Sequence, residues 1–426
     1  MIDAQTRDDG PYENVFLNVG NSGDRSAYTR ASNSRTLHFT EIDSLYENDG
    51  FARKIIDLPA EEAVRAGYYV EGTDSDAAVR AALDGIDALQ KMCDAMKWSS
   101  LYGGAIIVVL VDDGGVLRDP LNVDAIKSID SLRVYDRMHV NRHAEYTDPN
   151  DSQFGMTSHY LVSAPGGVQY VVHESRCLIF DGVPVPPRIR ERNDGWGGSV
   201  IQHSYDQLMR YGMSHAWANA LLERAQQAVH GIPELTSLLR SPGGESLVRK
   251  RVDLVDMTRS INNTIVIDSN ESYDLKSTSL SGVADIIDRL GLALSAVTGI
   301  PESLMFGRQH GGLNSTGESD LENWYAKIGQ IQNNVLRPAL DRLVGMQLRA
   351  LGKYVDNYII KFNPLHVPSA KDIAESNYKR AQTFEILNNI GAIDASEVRR
   401  MLSNEGYAID DVELMPEGDG DGEEDI

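Results

Sequence analysis

Two long amphipathic segments enclose a small module, and the second runs through a glycine-rich stretch into a third, longer helix. From Ser199 to Ala228, the residues Ile201, Tyr205, Leu208, Met209, Ala216, Trp217, Ala220 and Leu221 recur at helical spacing. From residue 283 to 298, Ile286, Ile287, Leu290, Leu294 and Val297 do the same. Between them, residues 229–282 predict a helix at 244–259, the strand NNTIVID and a polar strand ESYDLKSTSL. TGIPESLMFGRQHGGLNSTGESD follows, and then a helix from Ser319 to Leu351. Leu321, Trp324, Tyr325, Ile328, Ile331, Val335, Ala339 and Val344 keep its period. Pro338 lies deep inside it. Proline removes a backbone donor and crowds the preceding turn, so a kink is predicted there. A subunit built in this order cannot bury both faces of its long helices alone. The expected partner is another copy, in a head-to-tail contact that closes into a ring.

The remaining segments predict an α+β fold. Residues 1–41 are polar and read as a flexible arm. FARKIIDLPAEEAVRAG places Phe51, Ile55, Ile56, Ala63 and Val64 near one helical face, interrupted at Pro59. Residues 76–100 read as one helix carrying Ala82, Ile86, Leu89, Met92 and Met96, ended by Gly103-Gly104. AIIVVLVDDGG reads as a buried strand and turn. SLRVYD, HYLVSA, VQYVVH and CLIFDG read as short strands, and PVPPRIRERNDGWGG as a loop. VDNYIIKF is a further strand, and helices are expected at 369–390 and 395–404.

Charge bears on function. The chain has 426 residues and a formal net charge of −23. Nucleic-acid binders neutralise phosphates with Lys and Arg, so this balance argues against a tight DNA grip. It does not argue against a protein that only surrounds DNA. Part of the excess is local: Asp410 to Ile426 holds nine acids and no base, and the remainder carries about −14. The two cysteines, Cys93 and Cys177, lie far apart in apolar stretches and predict reduced thiols. The opening MIDAQTRDDGPYEN lacks a basic region followed by an apolar run, so no signal peptide is expected. The apolar run Ala105–Val111 is too short to span a bilayer.

No motif carries catalysis, and no cofactor or metal is expected. Asp268, Asn270, Ser272 and Asp274 alternate like a calcium loop, but Tyr273 stands where that loop needs glycine and Ser279 where it needs glutamate. The alternation fits one face of a strand. His139 and His143 are four apart in a strand-and-loop region with no third ligand nearby. No Gly-Lys-Ser/Thr and no Gly-x-Ser-x-Gly occurs. Asp112, Asp113, Asp136 and Asp181 lie at strand ends, where turns commonly use Asp. Trp324 and Tyr325 read as packing residues.

The order of elements resembles tailed-phage portal proteins. The motifs that carry the resemblance are FARKIIDLPAEEAVRAG, ESRCLIFDG, LALSAVTGIPESLMFG and NNVLRPALDRL, within residues 42–405. The resemblance implies a wing at 42–198, a first stem helix at 199–228, a clip at 229–282 and a second stem helix at 283–301. It implies a tunnel loop at 302–316, a kinked tunnel helix and wing strand at 317–366, a crown at 367–409 and an acidic tail at 410–426. It further implies a ring of twelve copies at one capsid vertex, through which double-stranded DNA is packaged and ejected. The implied partners are the terminase large subunit, then a head-completion or tail adaptor, together with major capsid and scaffolding proteins. The implied location is the virion, after assembly in the host cytoplasm, and the role is structural, not enzymatic.

Within that scheme Ser303 to Thr316 contains no acid, while Arg308 and His310 stand beside Gly311, Gly312 and Asn314. A flexible loop with a few donors touches phosphates weakly and reversibly, so these five are the expected DNA contacts. Arg249, Lys250 and Arg251 form a basic run in the expected clip and are candidates for docking an acidic partner. Two alternatives stand beside this reading: another head–tail or baseplate adaptor ring, and a DNA-processing enzyme on a portal-like scaffold.

Overall fold

The computed structural model describes residues 36–224, 226–262, 269–277, 281–307, 316–366 and 370–390, and the structural statements below concern these. The flexible arm expected over 1–41 is described only from residue 36, and there it is corrected, because a helix already begins at Phe39; the strand NNTIVID beyond Asn262, Arg308 to Asn314, the helix at 395–404 and the acidic tail lie outside the described residues. Helices and strands are mixed in an α+β fold. The chain divides into two units, one running to Asn363 and the other from Pro364. Each is described by itself.

Helix α1 (Phe39–Asn48) is capped by His38, whose backbone N–H donates to the Glu41 carboxylate at 3.0 Å. Asp49 ends α1 and caps α2 (Gly50–Arg65), accepting from the Phe51 and Ala52 N–H groups at 2.8 and 3.0 Å. The sequence predicted an interruption at Pro59, but α2 runs through it. Interior proline costs about 3 kcal/mol. Ala52, Ile55, Ile56, Ala60 and Ala63 form a buried face that offsets this penalty. Strand β1 (Tyr68–Glu71) follows. The single helix predicted over 76–100 is two, α3 (Asp76–Asp84) and α4 (Ala88–Tyr102). Asp87 between them adopts φ 54°, a left-handed conformation that Asp tolerates and a helix does not.

Strand β2 (Gly104–Asp112) is the centre of the larger unit. It pairs antiparallel with β3 (Ser128–Asp136) on one side and with the later strand β7 (Cys177–Asp181) on the other. A second antiparallel sheet comprises β4 (Val140–Glu145), β5 (Thr157–Ser163) and β6 (Gln169–His173). Residues 105–109 are wholly buried because both faces of β2 are covered. Ile106 and Val108 join a core with Tyr135, Val140, Tyr160, Val162, Val172, Cys177 and Trp196. Alternation turns Ala105, Ile107 and Val109 the other way, towards α4. Burial pushes the Cys93 thiol to about 11 and the Cys177 thiol to about 12, so both stay protonated and inert.

A buried ion pair organises the turn after β2. Arg176 donates to Asp113 through Nη2 at 2.6 Å and to the Asp119 carbonyl through Nε at 2.8 Å. Asp113 also accepts from the Gly115 and Asn122 N–H groups. Of the other strand-end carboxylates, Asp112 pairs with Lys127, Asp136 caps the Met138 N–H, and Asp181 pairs with Arg190. Each holds a turn or a loop. The segment expected to be a loop at 184–198 contains a short helix, α5 (Pro187–Arg192), begun by proline at its first position.

Candidate functional site

The long helix predicted to reach Ala228 is α6 (Val200–Arg224), and it ends earlier. Gln226–Gly231 forms strand β8. It pairs antiparallel with β9 (Ser272–Ser277), with Val229 opposite Asp274 and His230 opposite Tyr273. The ladder supplied by β9 overrides the local helical preference of Gln-Gln-Ala. Two helices lie between these strands in sequence: α7 (Leu235–Arg240), which the sequence reading lacked, and α8 (Gly244–Asn262). The alternation at Ser272 and Asp274 thus belongs to a strand. Among the described residues no group of three or more His, Cys, Asp or Glu side chains is placed to hold a metal.

The basic run on α8 is split. Arg249 and Lys250 are exposed. Arg251 reaches back to Glu271, from Nε to Oε1 at 3.1 Å and from Nη2 to Oε2 at 2.5 Å. His230 Nε2 lies 3.4 Å from the same carboxylate. Arg251 therefore joins α8 to the start of β9, leaving two outward cations, not three.

Helix α9 (Val283–Thr298) matches its predicted bounds and packs along α6. The apolar stripe of α6 divides along its length. Ile201, Leu208 and Tyr211 are buried, whereas Trp217, Leu221 and Leu222 are exposed. On α9, Leu294 is buried while Ile286 and Leu292 remain 60% and 58% exposed. Substantial apolar area on both helices faces outward in the single chain.

The base of the glycine-rich loop is anchored on both sides. Helix α10 (Glu302–Phe306) occupies the start of the region predicted as loop. Phe306 packs against Phe51 and Tyr211, with ring centroids 5.6 and 5.2 Å apart. Lys54 Nζ donates to the Met305 carbonyl at 3.2 Å, closing the end of α10. Beyond the loop, α11 (Thr316–Ile331) returns Trp324 into the core at 1% exposure, as its reading as a packing residue predicted. Lys327 Nζ donates to the Thr298 carbonyl at 2.7 Å and so caps α9. Burial lowers the Lys327 ammonium below its ordinary range.

Helicity continues from α11 through Gln332–Leu336, a wider turn, into α12 (Arg337–Ala350). The Arg337 N–H bonds to the Gln332 carbonyl five residues back. Pro338 sits at the start of α12, two residues after the wide segment, so its missing donor falls where the ladder is already displaced. Gln332 is buried and donates to the Ala63 carbonyl of α2 at 2.8 Å. Arg342 donates to the Cys177 and Ser175 carbonyls at 2.9 and 3.0 Å. Strand β10 (Ile359–Phe362) closes the unit against β1, pairing Tyr68 with Phe362. In the second unit, α13 (Ala370–Asn389) occupies most of the first helix expected after the strand.

The profile of the phage portal protein family matches residues 40–386. The chain belongs to that family. Two proteins named anti-CBASS protein Acb1 are related to it. One, from a Caulobacter species, is 27% identical over 378 residues, covering 85% of this chain and 60% of that protein. The other, from Sphingomonas paeninsulae, is 24% identical over 405 residues, covering 92% and 64%. The chain thus spans less than two thirds of the length of these relatives. An uncharacterised protein of Haemophilus influenzae is 26% identical over 417 residues, covering 95% of this chain and 92% of its own. Among solved structures, a chain in the virion of a native gene transfer agent particle is similar at a TM-score of 0.48 and 14% identity, covering 89% of this chain and 98% of that one. An HK97 family phage portal protein from Corynebacterium diphtheriae is similar at a TM-score of 0.41 and 9% identity, covering 79% and 100%. No described helix is long and apolar enough to cross a membrane.

Proposed function

We propose that this chain is one subunit of a portal ring in a phage virion, a conduit for double-stranded DNA during packaging and ejection. The observation that carries this is the outward apolar area on α6 and α9, with Leu222, Ile286 and Leu292 exposed. A neighbouring copy in a head-to-tail ring would cover it. The wing then spans 42–198, the clip lies between the two long helices, and the crown begins near residue 367. Twelve copies are expected, assembled in the host cytoplasm with capsid and scaffolding proteins. Terminase and later an adaptor dock at the clip, where Arg249 and Lys250 are the outward cations. Arg308, His310, Gly311, Gly312 and Asn314 are the proposed DNA contacts in a channel that otherwise repels phosphate.

Electron microscopy of the purified protein tests the ring: a closed ring with a duplex-wide hole is expected. Ile286→Asp with Leu292→Asp should leave the subunit folded and abolish the ring. Rings that persist in this variant would refute the assigned contact. Replacing Arg308 and His310 with Ala should leave rings intact and alter DNA packaging or retention. Unchanged packaging would remove the loop's role. The chain is proposed to act without catalysis. Magnesium-dependent DNA cleavage that is lost on changing Asp112 or Asp181 would overturn that.

A further inference from the structure

A groove of about 860 Å³ opens in the larger unit between β4, the turn that joins it to β5, strand β7 and helix α5. Strands β4 and β7 each stand at the edge of their sheet, so no described strand of this chain covers them on that side. Tyr160 and Trp196 line the inner part and are buried. Met156 and Ile179 line it further out and are 59% and 42% exposed. Five carboxylates border the groove: Glu145, Glu174, Asp181, Glu191 and Asp194. They face two guanidinium groups, Arg142 and Arg190.

Both cations are engaged with the walls. Arg190 pairs with Asp181 and donates to the Gly195 carbonyl at 2.9 Å. Arg142 donates to Thr157 and to the Gly155 carbonyl and lies 3.6 Å from Glu145. Glu174 and Glu191 have no ion-pair partner among the described residues. The groove therefore combines uncovered aliphatic surface with a negative potential. Phosphate is repelled from such a surface. An occupant with Lys or Arg beside one apolar side chain satisfies both features. The apolar group removes Met156 and Ile179 from water, and the cation sits against Glu174 and Glu191.

We propose that this groove docks a cationic segment of a partner protein, anchored by an aliphatic or aromatic side chain. The test uses a displayed library of random twelve-residue peptides, selected on the purified assembled protein. Enriched peptides should carry Lys or Arg next to an apolar residue. They should bind about tenfold more weakly to a Glu174→Gln, Glu191→Gln, Met156→Ser variant. A variant with the same charge change elsewhere, Asp124→Asn with Asp130→Asn, should bind like the wild type. This control separates the groove from the general acidity of the protein. Three outcomes overturn the proposal: no enrichment over the groove variant, equal loss in the control, or a change of oligomeric state in the groove variant. The last would assign the surface to a second copy. All five positions are at least partly exposed, and an unchanged melting temperature checks that the variants fold.

Discussion

Lys327 Nζ donates to the Thr298 carbonyl at 2.7 Å, so the helix leaving the loop closes the helix that leads into it. Burial lowers this ammonium and the Trp324 ring lies 5.8 Å away. Lys327→Met keeps the apolar stem and removes the donor. It should cost about 1.5–3 kcal/mol, the range for hydrogen bonds to charged groups. Denaturant unfolding measures this, and Lys327→Arg should recover part of it.

The Arg176–Asp113 pair is wholly buried, with Nη2 and Oδ2 2.6 Å apart. Removing one partner strands the other charge. Arg176→Met alone should cost about 3–5 kcal/mol, whereas Arg176→Met with Asp113→Leu should cost much less. A double-mutant cycle in urea checks both. Equal losses in the single and double variants would show that the loop contacts, not the charge, dominate.

A Cβ at Gly104 would stand 2.6 Å from Cδ2 of Trp196, a ring held in the core. Gly104→Ala should therefore destabilise by about 1–3 kcal/mol through overpacking. Trp196 must shift to accommodate it. Both the unfolding midpoint and the tryptophan emission of the folded state should change.

Burial, reinforced by His159 nearby, lowers His173 below its ordinary 6.5. Between the ordinary value and the lowered one, the unfolded chain takes up a proton that the folded chain refuses. Stability is therefore lost as pH falls through that window. His173→Asn removes the titration while keeping an acceptor for the Ser175 N–H. The wild type should lose more melting temperature than this variant between about pH 7.5 and about pH 5.

Much of this fold was legible wherever one element decides its own fate. AIIVVLVD buries both faces, and the stripe from Ile286 to Val297 marks α9 within its true bounds. Features that depend on distant partners were hidden. Strand β8 has no alternating pattern of its own, and its ladder comes from Ser272–Ser277. Arg251 reads as one of three adjacent cations until Glu271 is brought beside it. Arg176 and Asp113 are 63 residues apart. A charge inside the apolar stretch ESRCLIF was the available signal. The break at Asp87 was masked because Ile86 and Leu89 keep a helical spacing across it.

The wide turn at Gln332–Leu336 also sets a phase. Trp324, Ile328, Gln332, Leu336, Leu340, Val344 and Leu348 are all buried, in steps of four along α11 and α12. A regular helix advances about 100° per residue, so steps of four drift by about 40° each and the stripe would wind off the core. The extra residue in the wide turn takes back about 100° of the roughly 240° that the six steps accumulate. Forcing Gln332–Leu336 into a regular ladder with every residue kept would rotate α12 by about 100° relative to α11. Leu340, Val344 and Leu348 would then face away from the core that Trp324 and Ile328 occupy. Losing one residue together with the wide turn would keep that phase, so this stretch tolerates a shorter chain better than a tighter turn.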